Sequence, residues 1–67
     1  MKITECEKKD IKVTCKNGNV FSGFCDEYLS TEESEDNRAC IYVNLSPHVC
    51  VELFEEEILK IEERKST

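Results

Sequence analysis

Little in this sequence carries chemistry. There is a single histidine, His48, two residues before Cys50, and no two cysteines stand in Cys-x-x-Cys spacing. A structural zinc site normally shows close ligand pairs, and none is present. The only glycines are Gly18 and Gly23, too few for a loop that cradles phosphate. No Ser/His/Asp ordering is visible, and a chain of 67 residues leaves little room for a concave site. The expectation is therefore not an enzyme, with no cofactor and no metal. No apolar run approaches the roughly 18 residues of a membrane helix. The start, MKITECEKKD, lacks the apolar core of a signal peptide. The default is a cytoplasmic protein with no membrane contact.

Charge is unbalanced. Fifteen acidic residues oppose nine basic ones, for a net charge of −6. Non-specific nucleic-acid affinity comes mainly from Lys and Arg releasing counterions, so this balance disfavours RNA and DNA. A protein partner is easier to accommodate. The length predicts one small domain over residues 1–67, with a shallow core and marginal stability. Self-association is a common remedy at this size.

The informative stretch is 11–28, IKVTCKNGNVFSGFCDEY. Ile11, Val13 and Cys15 alternate with Lys12, Thr14 and Lys16, the period of two of a half-buried strand. Asn17-Gly18 follows, the strongest short-range hairpin signal. A second strand runs from Val20 to Leu29, with Gly23 suited to a bend where backbones approach closely. Phe21 and Cys25 flank it at even spacing and are expected to face inward with it. Residues 30–39, STEESEDNRA, cannot bury an apolar face and read as a solvated, mobile loop. Alternation resumes over Ile41, Val43 and Leu45, breaks at Ser46-Pro47, and returns at Val49, Val51 and Leu53. Glu55–Glu57 interrupts before a last element with Ile58, Leu59 and Ile61. At the start, Thr4-x-x-Glu7 has the form of a capping box for one helical turn, with an extended arm as the alternative.

Five short strands, Lys16-Asn17-Gly18 at the first turn and Phe21-x-Gly23 in the second strand resemble the Sm/LSm-like small barrel. Val13 and Tyr28 match the first half of that family's pattern, and Leu53, Ile58 and Ile61 fit the apolar spacing of its second half. The resemblance covers residues 10–63. It implies a mainly all-β fold: a strongly bent five-stranded antiparallel barrel, Src-homology-3-like, behind a short N-terminal helical turn. It also implies self-association, since family members pair the fourth strand of one subunit with the fifth of the next to form rings. Many bind uridine-rich RNA near the pore. Here the family's RNA-contacting Asn and Arg positions read Glu33 and Phe54, so that site looks lost or rebuilt.

The expected function is thus a non-catalytic binding or assembly module, meeting an unnamed protein partner or copies of itself through strand edges. The alternative is an RNA-binding ring with an altered pocket, using Tyr28, Lys12, Lys16 and Arg38. Tyr28 would stack on a base, or simply close the end of the barrel. Phe54, with Val51 and Ile58, is the candidate interface; cover by the N-terminal segment is the other reading of an outward Phe54. The acidic runs Glu32–Asp36 and Glu55–Glu57 read as solvated faces rather than a cation site. The five cysteines fit reduced, small apolar side chains. A disulfide, with Cys40 and Cys50 the candidate pair on neighbouring strands, and a metal remain the alternatives.

Overall fold

In the computed structural model, which describes residues 1–64, five antiparallel strands form one sheet. The last three residues of the charged tail, 65–67, lie outside the described residues. The strands are β1 (Asp10–Cys15), β2 (Val20–Leu29), β3 (Cys40–Ser46), β4 (Val49–Phe54) and β5 (Ile58–Glu63). Two single 3-10 turns, Ile3–Glu5 and Glu55–Glu57, are the only helical elements among the described residues. The order across the sheet is β4-β3-β2-β1-β5.

That order forces the sheet to curl. Laid flat, β4 and β5 would lie about 19 Å apart, four intervals of about 4.8 Å. The chain from Phe54 to Ile58 passes through three residues only, and spans at most about 14 Å fully extended. The edges must therefore bend toward each other, although they do not pair and the sheet stays open. Glu55–Glu57 is tied to both sides of the gap. Glu55 N–H donates to Ala39 O at 2.9 Å, and Lys16 N–H donates to Glu57 O at 2.9 Å.

Strand β2 carries the curvature. Its first half pairs with β1 and its second half with β3, and Phe24 stands opposite both Asp10 and Asn44. Gly23 lies at this hand-over. A Cβ there would fall 2.9 Å from Asn44 C and 3.1 Å from Val43 Cγ1, and nearer still to Asn44 O. Asp26, skipped in the register between Cys25 and Glu27, adds a bulge three positions on. Bulges increase local twist and bend the strand that carries them. Gly18 is required for a different reason: its φ of 95° belongs to the tight turn after β1, with open space around it.

The core lies on the concave face. Ile11, Val13, Cys15, Cys25, Ile41, Val43, Leu53 and Ile61 are buried together. Phe21 packs against them half-buried, on the face that strand parity predicts, and Tyr28 joins it from the opposite parity because the register shifts between Cys25 and Glu27. Ile3 and Cys6 from the N-terminal turn close one side of the cluster.

Three local expectations are corrected. The N-terminal turn is capped two residues earlier than Thr4-x-x-Glu7 suggests: Lys2 N–H donates to Glu5 Oε1 at 2.7 Å. Glu7 instead accepts from Tyr28 N–H at 3.3 Å, which docks the segment onto β2. Residues 30–39 are built rather than merely solvated. Glu33 and Ser34 N–H both donate to Ser30 O, Ser30 N–H donates back to the Glu33 carboxylate, and Ser34 and Ala39 are buried. Local side-chain to backbone bonds shape this loop where apolar residues are absent. Finally, Cys40 faces Phe54 and Cys50 faces Asn44. Four residues of strand separate them, about 13 Å, twice what a disulfide spans.

Gly23→Ala is expected to lower the free energy of unfolding by about 3 kcal/mol or to prevent folding, because backbone rather than a side chain must yield. Gly18→Ala should cost about 1 kcal/mol, through backbone strain alone. Urea midpoints of the two variants check this, and equal midpoints would contradict the close-approach account.

Candidate functional site

The two outer strands are where this molecule exposes bonding capacity. In an antiparallel pair, opposed residues alternate between exchanging backbone hydrogen bonds and pointing their groups away. Glu55 N–H bonds to Ala39 O, so Leu53–Ile41 and Val51–Val43, spaced by twos in the same register, are the bonded pairs of β4 and β3. The backbone groups of Cys50, Glu52 and Phe54 then point out along the free edge of β4. On β5, Arg64 N–H bonds to Asp10 O at 2.8 Å, which makes Glu62 and Lys60 the residues bonded to β1. Ile61 and Glu63 point away, and Ile61 O accepts from the Met1 ammonium at 3.4 Å.

Apolar side chains accompany both edges. Leu59, the residue skipped where the β1–β5 register shifts, is 65% exposed. It borders a shallow groove of about 170 Å³ with Met1, Ile3, Ile58 and Ile61. Val49 at the start of β4 is 49% exposed. Of the expected interface residues, Val51 and Ile58 are half-buried and pack against the core. Phe54 is half-buried on the outer face, where the Arg38 guanidinium sits 3.7 Å above the centre of its ring. The loop before β3, not the N-terminal segment, thus supplies this cover. Sequence reasoning missed Leu59 and Val49, because nothing in an alternating pattern marks a bulge residue or a strand's first residue as exposed.

The residues expected for RNA lie on different parts of the molecule. Lys12 projects from the middle of β1 beside Ser22 and Glu62 in register. Lys16 begins the turn after β1 and is exposed. Tyr28 lies on the inner face of β2, half-buried against the core. Arg38 is ion-paired with Glu56 and stacked on Phe54. Lys60 and Glu62 form another ion pair at 3.6 Å, next to Lys12.

Acidic groups gather elsewhere. Glu33, Glu35, Asp36 and Glu52 border a cavity of about 380 Å³ with Tyr42, Ser34 and Leu29. Tyr42 Oη donates to Glu52 Oε2 at 2.7 Å, and the Cys40 thiol donates to the same oxygen at 3.7 Å. The bond to Glu52 pushes the Tyr42 hydroxyl pKa well above its usual value, since ionising it would set two negative oxygens together. No group of His, Cys, Asp and Glu placed to hold a metal ion occurs among the described residues. No helix among them is long and apolar enough to cross a membrane.

All five cysteines are free, four buried and Cys50 exposed. Burial pushes the Cys25 thiol up to about 11, with Cys6 beside it contributing. Cys6, Cys15 and Cys40 shift the same way, each chiefly from burial. Such thiols behave as small apolar side chains rather than nucleophiles. Comparison with protein-family models, curated proteins and solved structures found no match for this chain.

A thiol reagent should label Cys50 rapidly in the native protein and the other four only on unfolding. Because folding raises the buried thiols, their contribution is fully present below about pH 9 and is lost as pH rises through about 11 for Cys25. Urea midpoints should therefore fall between pH 9 and 11, and less steeply in Cys25→Ala. A midpoint independent of pH over that window would refute the assignment.

Proposed function

We propose that this chain is a non-catalytic binding and assembly module: a small barrel of the Sm-like type that associates through its outer strands. The observation that carries the reading is the pair of unpaired edges, β4 and β5, held near each other by a three-residue link. Unpaired backbone groups on an exposed edge are templates for another strand. The two edges differ, so a contact between β4 of one copy and β5 of the next is head-to-tail, and closes into a ring if the rotation allows. Leu59 and Val49 supply apolar surface beside those edges. The sheet order and the bend at Gly23 agree with the resemblance drawn from Lys16-Asn17-Gly18 and Phe21-x-Gly23.

Assembly by copies of this chain, or with another protein, fits the charge better than RNA does. Arg38 is engaged by Glu56 and Phe54, and Lys12 has Glu62 opposite it. Phosphate would meet acidic groups beside Lys8, Lys12, Arg38 and Lys60.

Size-exclusion chromatography with light scattering, under reducing conditions, should give a closed oligomer of several subunits. Cys50→Pro should dissociate it with little loss of fold, because the missing N–H points along the free edge rather than into the β3–β4 ladder. Leu59→Lys should weaken it from the β5 side. A wild-type monomer would sink the assembly reading. RNA retained on a filter at low salt and released as salt rises would favour the RNA-binding ring instead.

A further inference from the structure

The two ends of the β4 edge are not alike. At the Cys50 and Glu52 end, nothing among the described residues bonds to the outward backbone groups. At Phe54, the protein covers itself twice. Phe54 N–H donates to the Glu57 carboxylate at 3.2 Å, and the ring lies under the Arg38 guanidinium at 3.7 Å. Arg38 is held there by its ion pair to Glu56.

This arrangement is not an optimised structural anchor. The Nε–H of Arg38 is buried without a hydrogen-bond partner, and a buried donor left unmade weakens the contact that buries it. Both members of the Arg38–Glu56 pair are substantially exposed, at 42% and 63% of their side-chain surface, and exposed pairs contribute little. Covers of this strength can be displaced by a better partner. The same turn, Glu55–Glu57, provides both the ion-pair partner of Arg38 and the carboxylate on Phe54 N–H. It is also the link that holds the two edges near each other.

We propose that Arg38, Glu56 and Glu57 form a clasp over Phe54 that restrains edge pairing at β4 by a second copy of this chain. The inference rests on the self-association reading above. When the clasp is closed, the last edge donor and the outer aromatic face are both occupied from within the molecule. When the Arg38 side chain swings away, the ring becomes apolar surface continuous with the edge. Only the Cys50 and Glu52 portion is free beforehand, so that portion makes the first contact and Phe54 joins after the clasp opens.

The sign of one substitution separates this from the opposite role. If Arg38 restrains pairing, Arg38→Ala tightens self-association. An exposed cation–π contact corresponds to about a two- to five-fold change in an equilibrium constant, which sets the expected gain. Removing a cation also makes each copy more acidic, which opposes association of like copies, so tightening cannot arise from net charge. Adding Phe54→Ala to Arg38→Ala should reverse the gain. Arg38→Lys keeps a cation for Glu56 but lacks the planar group that stacks, and should give an intermediate constant.

Sedimentation equilibrium over a concentration series on the wild type and these variants tests it, with urea midpoints confirming that each is folded. Tighter association in Arg38→Ala, with Arg38→Lys between it and the wild type, is the expected result. An associating wild type with an unchanged or weaker Arg38→Ala overturns the clasp alone, and weaker association would make Arg38 part of the interface. If Arg38→Ala does not fold, Arg38→Lys decides by the same sign. A wild type and variants that all remain monomeric overturn both the clasp and the assembly reading.

Discussion

At Gly23 the backbone of β2 comes so near the backbone of β3 that no side chain fits between them. The rest of the structure follows from that approach. Because β2 can bend there, it serves β1 with one half and β3 with the other. The sheet then curls enough for β4 and β5, at its opposite edges, to be joined by three residues. The concave side closes over a core of β-branched residues, leucine and cysteine, none larger than isoleucine or leucine among those fully buried. A flatter sheet of 67 residues would leave that face in water, and a core this shallow could not stabilise it.

Curling solves the burial problem and leaves an edge problem. The sheet remains open, so two strands keep outward backbone groups, and small domains with such edges manage them explicitly. Here the management is uneven. Glu57, Glu56 and Arg38 occupy the Phe54 end of β4, while Cys50 and Glu52 stay open. On β5 the bulge at Leu59 interrupts the ladder and turns an apolar side chain outward.

Much of the architecture was legible in the residues. Alternation over Ile11–Cys15, the Asn17-Gly18 turn, the break at Pro47 and the second alternation over Val49–Leu53 are local signals with a local cause. Each corresponds to an observed strand or turn. Gly23 announced a bend, although not which atoms it approaches. The loop over 30–39 was harder to read, because its order comes from Ser30, Glu33 and Ser34 bonding to nearby backbone rather than from apolar periodicity. Cys40 and Cys50 share a face by parity, yet Cys40 is fully buried and Cys50 is exposed. The residues expected to gather for RNA do not share a neighbourhood, since their proximity depended on register rather than spacing.

The sequence by itself determined the strand count, the turn positions and the core-facing alternation of β1 and β3, because side-chain parity and turn chemistry act over a few residues. It also determined the surplus of negative charge. Only the tertiary structure decided which strands become edges, where bulges expose Leu59, and that Arg38 lies over Phe54, sixteen residues away in the chain. Those outcomes depend on the order of strands across a curled sheet, and that order is set by long-range pairing that no short window of sequence contains.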